Sequence, residues 1–361
     1  MKKILFAAVA ALFVFTSCNK EDSGIIGEGQ DARLIVNVAN PSSKAIGAAA
    51  TSDNTITGYE IFVFDASGNN IGYVTGSTAT QEVTTTTNAK EVYVVANAPA
   101  GLFSASTSKA DLLAAVTDLD QATAANSQYT KRWATGSGVV GNFTQSGADF
   151  VATATVAMKF IAARITVTID NQMQNYDGAA TDGSFVLKGV SVLNATKESK
   201  LYGTSLVTGS AFYAGIDMTG FTYVPTTYSV KSFLRDAIAA GVPDATGYHF
   251  YVFENAATAA TAFPTIVMLE GEYDGQAVYL PIHLAAYEQF LTGSMTGGVV
   301  RGNSYNLTFK LTGDATITGG GSYPGDTGGT EDPTIPADVT GKCTVTLSIN
   351  DWTPVTLVKE F

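Results

Sequence analysis

Apolar residues in this chain fall mostly in short runs with a two-residue period, divided by turn-forming segments, which is the pattern of β-strands half-buried in sheets. Ala32-Arg33-Leu34-Ile35-Val36-Asn37-Val38-Ala39 puts Leu34, Val36 and Val38 on one face and ends at the turn-like Asn40-Pro41-Ser42-Ser43-Lys44. Two runs are apolar on both faces and are expected to be central in a sheet: Tyr59-Glu60-Ile61-Phe62-Val63-Phe64 and Glu91-Val92-Tyr93-Val94-Val95-Ala96. Asp65 to Asn70 is a turn, and Ile71 to Val74 reads as the returning strand. A long strand is expected from Met158 to Ile169, followed by strands over Phe185–Leu193, Tyr248–Phe253, Thr265–Tyr273, Gln276–Leu284 and Tyr305–Leu311. Helical signals are few. Ser108 and Asp111 resemble a capping box ahead of Leu112, Leu113 and Val116, which predicts a helix over Ser108–Leu119. A second helix is expected over Ser229–Ala240, stopped by Gly241 and Pro243. Residues 120–150 are polar and Gly-rich, with Trp133 as the anchor of a surface loop.

Both ends depart from this regular pattern. Lys2 and Lys3 precede an uncharged apolar run of 12 residues, Ile4 to Phe15, and Thr16-Ser17 leads into Cys18. That is a secretory signal, and the run is well short of the roughly 20 residues a spanning helix needs. A cysteine directly after small residues is the acceptor that signal peptidase II requires for lipid attachment, so Cys18 is the expected lipidation site. The segment from Cys18 to Lys44 then consists of a polar linker, one isolated strand and an exposed basic residue. It reads as a removable prosegment, cut between Lys44 and Ala45. At the other end, residues 312–341 are dense in Gly, Asp, Thr and Pro, too long for an ordinary loop inside a compact domain. Beyond them come Cys343-Thr344-Val345-Thr346-Leu347-Ser348-Ile349-Asn350, which alternates perfectly, and a last apolar run through Pro354 to Phe361. Val345, Leu347 and Ile349, or Val355, Leu357 and Val358, are the side chains this end could offer to another subunit.

Composition narrows the functions available. Only 14% of the 361 residues are charged, and the 36 glycines and 16 tyrosines fit an exported β-protein rich in turns. Residues 45–361 hold 15 Lys/Arg against 28 Asp/Glu, so nucleic acid is a poor partner. With Cys18 acylated, Cys343 is the one remaining cysteine, and stability must come from core burial instead of a disulfide. The two histidines, His249 and His283, have no second ligand at metal-binding spacing. Gly136-Ser137-Gly138 lacks a nucleophile elbow, and the Gly-rich 319–329 stretch has no Lys-Ser/Thr and no following helix. No enzyme activity, metal or organic cofactor is therefore expected. Paired carboxylates for glycoside chemistry stay open as a weak third reading.

The Cys18 signal, Ile61-Phe62-Val63-Phe64-Asp65 with Gly68, Glu91 to Asn97, Phe160-Ile161-Ala162-Ala163-Arg164-Ile165, Tyr251-Val252-Phe253-Glu254-Asn255, Arg301 to Leu307 and the closing Val345 to Trp352 occur in an order and spacing that resemble a Bacteroidales fimbrillin, a subunit of type V pili. The resemblance covers about residues 60–361. It implies a mainly β chain of two antiparallel β-sandwich domains, transthyretin-like with Greek-key connections, and a few short helices. The expected organisation is a signal peptide over 1–17, a prosegment over 18–44, an N-terminal domain over 45–160 and a C-terminal domain over 161–361. It further implies outer-membrane lipidation, maturation by a trypsin-like protease, and head-to-tail joining with copies of itself or related subunits by strand exchange, in support of adhesion at the cell surface. One departure is that the family's cut follows Arg, whereas Lys44 is the basic residue available here. The competing readings are a pilus tip adhesin and a monomeric surface lipoprotein that binds glycans.

Overall fold

The computed structural model describes residues 29–41, 55–119, 133–171, 185–203, 212–213, 234–237, 247–255, 265–273, 276–284, 298–311 and 343–351. The first half contains β1 (Asp31–Ala39), β2 (Tyr59–Phe64), β3 (Asn70–Gly76), β4 (Thr80–Thr86), β5 (Glu91–Ala96), the helix α1 (Lys109–Ala114), β6 (Val116–Asp118), β7 (Ala134–Val139), β8 (Thr144–Ser146), β9 (Asp149–Ala157) and β10 (Lys159–Phe160). The second half contains β11 (Ala162–Asn171), β12 (Phe185–Leu193), β13 (Ala195–Thr196), β14 (Glu198–Lys200), β15 (Phe212–Tyr213), β16 (Leu234–Ala237), β17 (Tyr248–Phe253), β18 (Ile266–Tyr273), β19 (Gln276–His283), β20 (Asn303–Leu311) and β21 (Cys343–Asp351).

The first half has sheets ordered β4-β1-β9-β8 and β10-β7-β5-β2-β3, and the second has β17-β11-β20-β21 and β16-β12-β18-β19. Taken in chain order, β1, β2, β3, β4, β5, β7 and β9 hold the same sheet positions as β11, β12, β16, β17, β18, β19 and β20. The first strand of each half is central, antiparallel to one neighbour and parallel to the other. This is a mainly antiparallel β-sandwich architecture used twice.

Two buried clusters follow from it. In the first half, Leu34, Val36 and Val38 pack with Tyr59, Ile61, Val63, Val83, Val92, Val94 and Val156. The larger cluster joins Phe62, Phe64, Val95, Leu112 and Trp133 to Ile165, Val167, Val192, Phe250, Phe253 and Phe309 of the second half. So β2 is apolar on both faces because one face fills the first sandwich and the other meets the second half. The halves are also strapped together through backbone groups. β14 pairs with β6, Leu201 N–H donates to Ala115 O at 2.9 Å, and Tyr202 Oη donates to Val94 O at 2.9 Å. Arg301 secures the strap, donating to Leu201 O at 2.9 Å and Lys200 O at 3.0 Å while pairing with the buried Glu254 carboxylate.

Several expectations need correcting. The helix after Ser108 is one and a half turns long. Asp111 N–H donates to Ser108 Oγ at 3.1 Å, but after Ala114 the chain turns extended and enters β6. Leu234–Ala237, inside the expected Ser229–Ala240 helix, is a strand paired with β12, and the rest of that stretch lies outside the described residues. Trp133 does not anchor a surface loop; it is buried in the larger cluster, and residues 134–157 form β7, β8 and β9. The run from Met158 breaks into β10 and β11: Ile161 N–H bonds Trp133 O, carrying the pairing of β10 with β7 one residue further, and from Ala162 the chain pairs with β17 of the second half.

Candidate functional site

The strongest candidate is the slot that holds β1. On one side β4 runs antiparallel, from Asp31↔Thr86 to Asn37↔Thr80; on the other β9 runs parallel, from Ala32↔Phe150 to Ala39↔Ala157. Leu34 and Val36 are fully buried and Val38 nearly so, with Ala32 at the head of the same face. Burying three such side chains contributes roughly 5–9 kcal/mol before ordering costs. The ends of β1 are tied as well: Thr87 N–H donates to Gln30 O at 2.9 Å, and Tyr59 Oη to Asn40 Oδ1 at 2.6 Å.

The outer face of β1 is polar and electrostatically matched to the slot. Arg33 lies between two acids, its Nη1 3.3 Å from Glu82 Oε2 on β4 and its Nε 3.2 Å from Asp149 Oδ2 on β9. Thr80 Oγ1 donates to Asn37 Oδ1 at 3.0 Å farther along. Both ion pairs are largely solvent-exposed, so they select register more than they add stability.

Each wall of the slot also packs against the other sheet of the first half, although β1 is the strand that β4 pairs with in its own sheet. β9 passes close under β7, where a Cβ on Gly136 would sit 2.5 Å from Ala157 O and one on Gly138 would sit 3.0 Å from Thr155 O. β4 lies against β3, where a Cβ on Gly72 would come within 2.9 Å of Thr84 O. Glycine at these three positions lets the sheets close at both seams.

Of the sequence-predicted site residues, Leu34, Val36 and Val38 are thus brought together on one buried face. Val345, Leu347 and Ile349 belong to β21, which pairs antiparallel with β20 of its own chain, Val345↔Phe309, Leu347↔Leu307 and Ile349↔Tyr305. Cys18, Lys44, Ala45, Val355, Leu357 and Val358 lie outside the described residues. Sequence reasoning missed the Arg33 clamp and the seam glycines, although a cation on the polar face of an isolated strand and glycines two apart before a strand were both visible. No group of three or more His, Cys, Asp or Glu among the described residues is arranged to hold a metal. His249 Nδ1 lies 3.2 Å from Thr166 Oγ1, a strand-to-strand contact.

Residues 162–352 match the family of FimA-like major fimbrial subunit protein C-terminal domains, and residues 32–183 match the major fimbrial subunit protein (FimA) family. The chain belongs to the FimA-like major fimbrial subunits. Fimbrial subunits of this kind are structural, non-enzymatic proteins of the cell-surface fimbrium, and they assemble with other fimbrial components. No curated protein matches the chain. Among solved structures, a Bacteroides eggerthii protein described as a cell adhesion protein is 25% identical, with a TM-score of 0.63 over 91% of this chain and 98% of that one. A fimbrilin of Porphyromonas gingivalis shares the fold at 21% identity and a TM-score of 0.62, over 92% of this chain and 99% of that one. The C-terminally truncated tip fimbrial protein Mfa3 of the same organism does so at 16% identity and a TM-score of 0.53, over 89% and 100%.

Proposed function

We propose that this fimbrial subunit is exported as a lipoprotein through Cys18, cut between Lys44 and Ala45, and polymerised head to tail by strand exchange into outer-membrane-anchored fimbriae that support adhesion. The precursor is organised as two sandwich domains, 45–160 and 161–361, with β1 as a strand lent to the first. The observation that carries this reading is the position of β1. A strand from the expected prosegment stands in the middle of a sheet, with its apolar face buried. Loss of that strand opens an apolar slot with unpaired backbone groups on both walls, which another extended chain relieves by β-augmentation. A head-to-tail contact of this type does not close on itself and so builds a filament.

The test is mass spectrometry of the mature N-terminus of the surface-exposed protein, with its behaviour on denaturing gels without boiling. Polymer ladders of chains beginning at Ala45 support the reading. Monomers beginning at an acylated Cys18 overturn it and favour a surface lipoprotein that binds its ligand as a single chain.

A further inference from the structure

Two glutamates are buried among the described residues, and their surroundings differ. Glu254 is paired with Arg301. Glu60 on β2 is 7% exposed and has no cationic partner among the described residues. Its Oε2 accepts a hydrogen bond from Tyr73 Oη at 2.9 Å, while its Oε1 accepts none from a described residue and keeps contact with solvent. Burial without a countercharge holds this carboxyl above its ordinary value. Glu60 and Phe62 stand on the same face of β2, and the Phe62 ring lies 5.2 Å from that of Tyr73 and 5.7 Å from that of Phe103, centroid to centroid. Tyr73 and Phe103 are both half-buried, and Thr75, opposite Glu60 on the edge strand β3, is exposed. The carboxylate therefore stands one strand in from an open side of the sheet. It is on the face of β2 opposite Tyr59, Ile61 and Val63, which pack with β1.

We propose that this corner of β2 and β3 is a binding site for a lysine side chain of a partner protein, whose ammonium group meets the free oxygen of Glu60 while its methylene stem lies against Tyr73 and Phe103. A buried carboxylate without a counter-ion is costly, and an incoming cation relieves that cost. The rings beside it favour an organic ammonium, because aromatic faces attract a desolvated cation and its stem covers apolar surface. The field of the chain points the same way, since residues 45–361 carry 28 Asp/Glu against 15 Lys/Arg and draw cationic partners. Lysine fits better than arginine. A guanidinium is a planar fork suited to both oxygens of a carboxylate, and Tyr73 holds one of them, whereas an ammonium is a point charge that needs a single acceptor. A divalent metal needs several oxygen ligands, and no group of three acids, histidines or cysteines stands together among the described residues. A neutral sugar stacks on rings as well, but it leaves the charge of Glu60 uncompensated.

The site is complete in the full-length chain, so the test needs neither cleavage nor polymer and is independent of the export and assembly steps proposed above. The probes are the acetylated, methylamidated derivatives of lysine, arginine and norleucine, titrated at low salt with chemical shifts of the Tyr73 ring as the readout. The lysine derivative is expected to bind about tenfold more tightly than the neutral norleucine derivative, and more tightly than the arginine one. Glu60→Gln keeps the acceptor for Tyr73 and is expected to lower lysine binding about tenfold, with folding checked by circular dichroism. Phe103→Leu, at a half-buried position that leaves the carboxylate untouched, is expected to lower it about threefold. Tyr73→Phe keeps the ring and frees Glu60 Oε2, which should bring the arginine derivative level with the lysine one. Equal binding of the lysine and norleucine derivatives by the wild-type chain overturns the proposal. Undiminished lysine binding by folded Glu60→Gln does so too, because it places the ammonium elsewhere.

Discussion

β1 and β11 occupy the same position in their respective halves and differ in how the chain holds them. β11 follows β10 of the first half with one residue between and continues into the second half, so neither of its ends runs through the candidate cut site. β1 reaches the rest of its sandwich only through residues 40–58, which include Lys44. The inner faces are alike: Leu34 and Val36 are fully buried in one, Ile165 and Val167 in the other. The difference teaches that equally buried strands can be unequally attached along the chain. On the strand-exchange reading proposed above, β1 is a stored ligand, and the glycine seams let both of its neighbours pack closely against the opposite sheet.

The largest effect should come from removing β1 without replacing it. A chain beginning at Ala45, purified as a monomer, is expected to lose roughly 5–9 kcal/mol of unfolding free energy relative to the precursor. A synthetic Asp31–Ala39 peptide should recover most of the loss. Urea unfolding monitored by circular dichroism checks this, and unchanged stability would mean that β1 is not held as the burial indicates.

Next comes the strap between the halves. Arg301→Met leaves Glu254 buried at 5% exposure without its cation and removes two donors to the Lys200 and Leu201 carbonyls. Breaking one member of such a pair costs about 3–5 kcal/mol. The loss should show as increased hydrogen exchange at Leu201 and Leu119 before the ladder between β1 and β9 is affected. Loss in all three places at once would show that the two halves are not separable units.

Much of this comparison was legible in the sequence, and the missing parts have a common cause. β1, β2, β5, β11, β17, β20 and β21 were readable because apolar alternation or continuous apolar runs report burial directly. β7 was not, since Ala134-Thr135-Gly136-Ser137-Gly138-Val139 has the composition of a loop; its glycines are selected by close approach to β9, a contact some twenty residues away. Trp133 was placed at the surface for the same reason, being the one tryptophan in a polar stretch. The helix over Ser108–Leu119 was extended too far because Val116 kept the helical period, but Ala115 and Leu119 instead bond to the strap of the second half. The doubled topology was hidden because the two halves share strand positions and few residues outside β1 and β11. The buried face of the candidate slot was visible in the alternation of Leu34, Val36 and Val38; its acids were not, because Glu82 and Asp149 meet Arg33 only through sheet pairing.

A smaller effect tests the bracing of the slot. Gly136→Val brings a Cβ to 2.5 Å from Ala157 O and 2.7 Å from Val156 Cγ1, so β9 has to move. Overpacking of this kind costs about 1–3 kcal/mol. β19, the strand that corresponds to β7, contains no glycine. The precursor should tolerate the change because β1 still holds β9. The cleaved subunit should not, and its uptake of the Asp31–Ala39 peptide should slow. Equal peptide uptake by Gly136→Val and wild type would show that the seam does not brace the wall.

The smallest effect separates the halves by pH. Each half buries a glutamate, but Glu254 is paired with Arg301, whereas Glu60 on β2 accepts a hydrogen bond from Tyr73 Oη at 2.9 Å. Burial holds the Glu60 carboxyl above its ordinary value, partly offset by that hydrogen bond, and burial, followed by the hydrogen bond to Glu60 and the Glu60 charge, pushes Tyr73 up to about 12. A carboxyl whose folded pKa is raised binds its proton more tightly in the folded state than in the unfolded one. Its contribution to stability is therefore fully present below the ordinary carboxylate range and is lost as pH rises through the raised value. The first sandwich should accordingly soften between pH 4.5 and neutrality while the second changes less. Glu60→Gln removes the titrating group, keeps an acceptor for Tyr73, and should flatten the dependence. Unfolding midpoints at pH 4.5 and pH 7, read by hydrogen exchange in β2 and in β11, decide the matter; an identical pH slope for Glu60→Gln and wild type would assign the sensitivity to other groups.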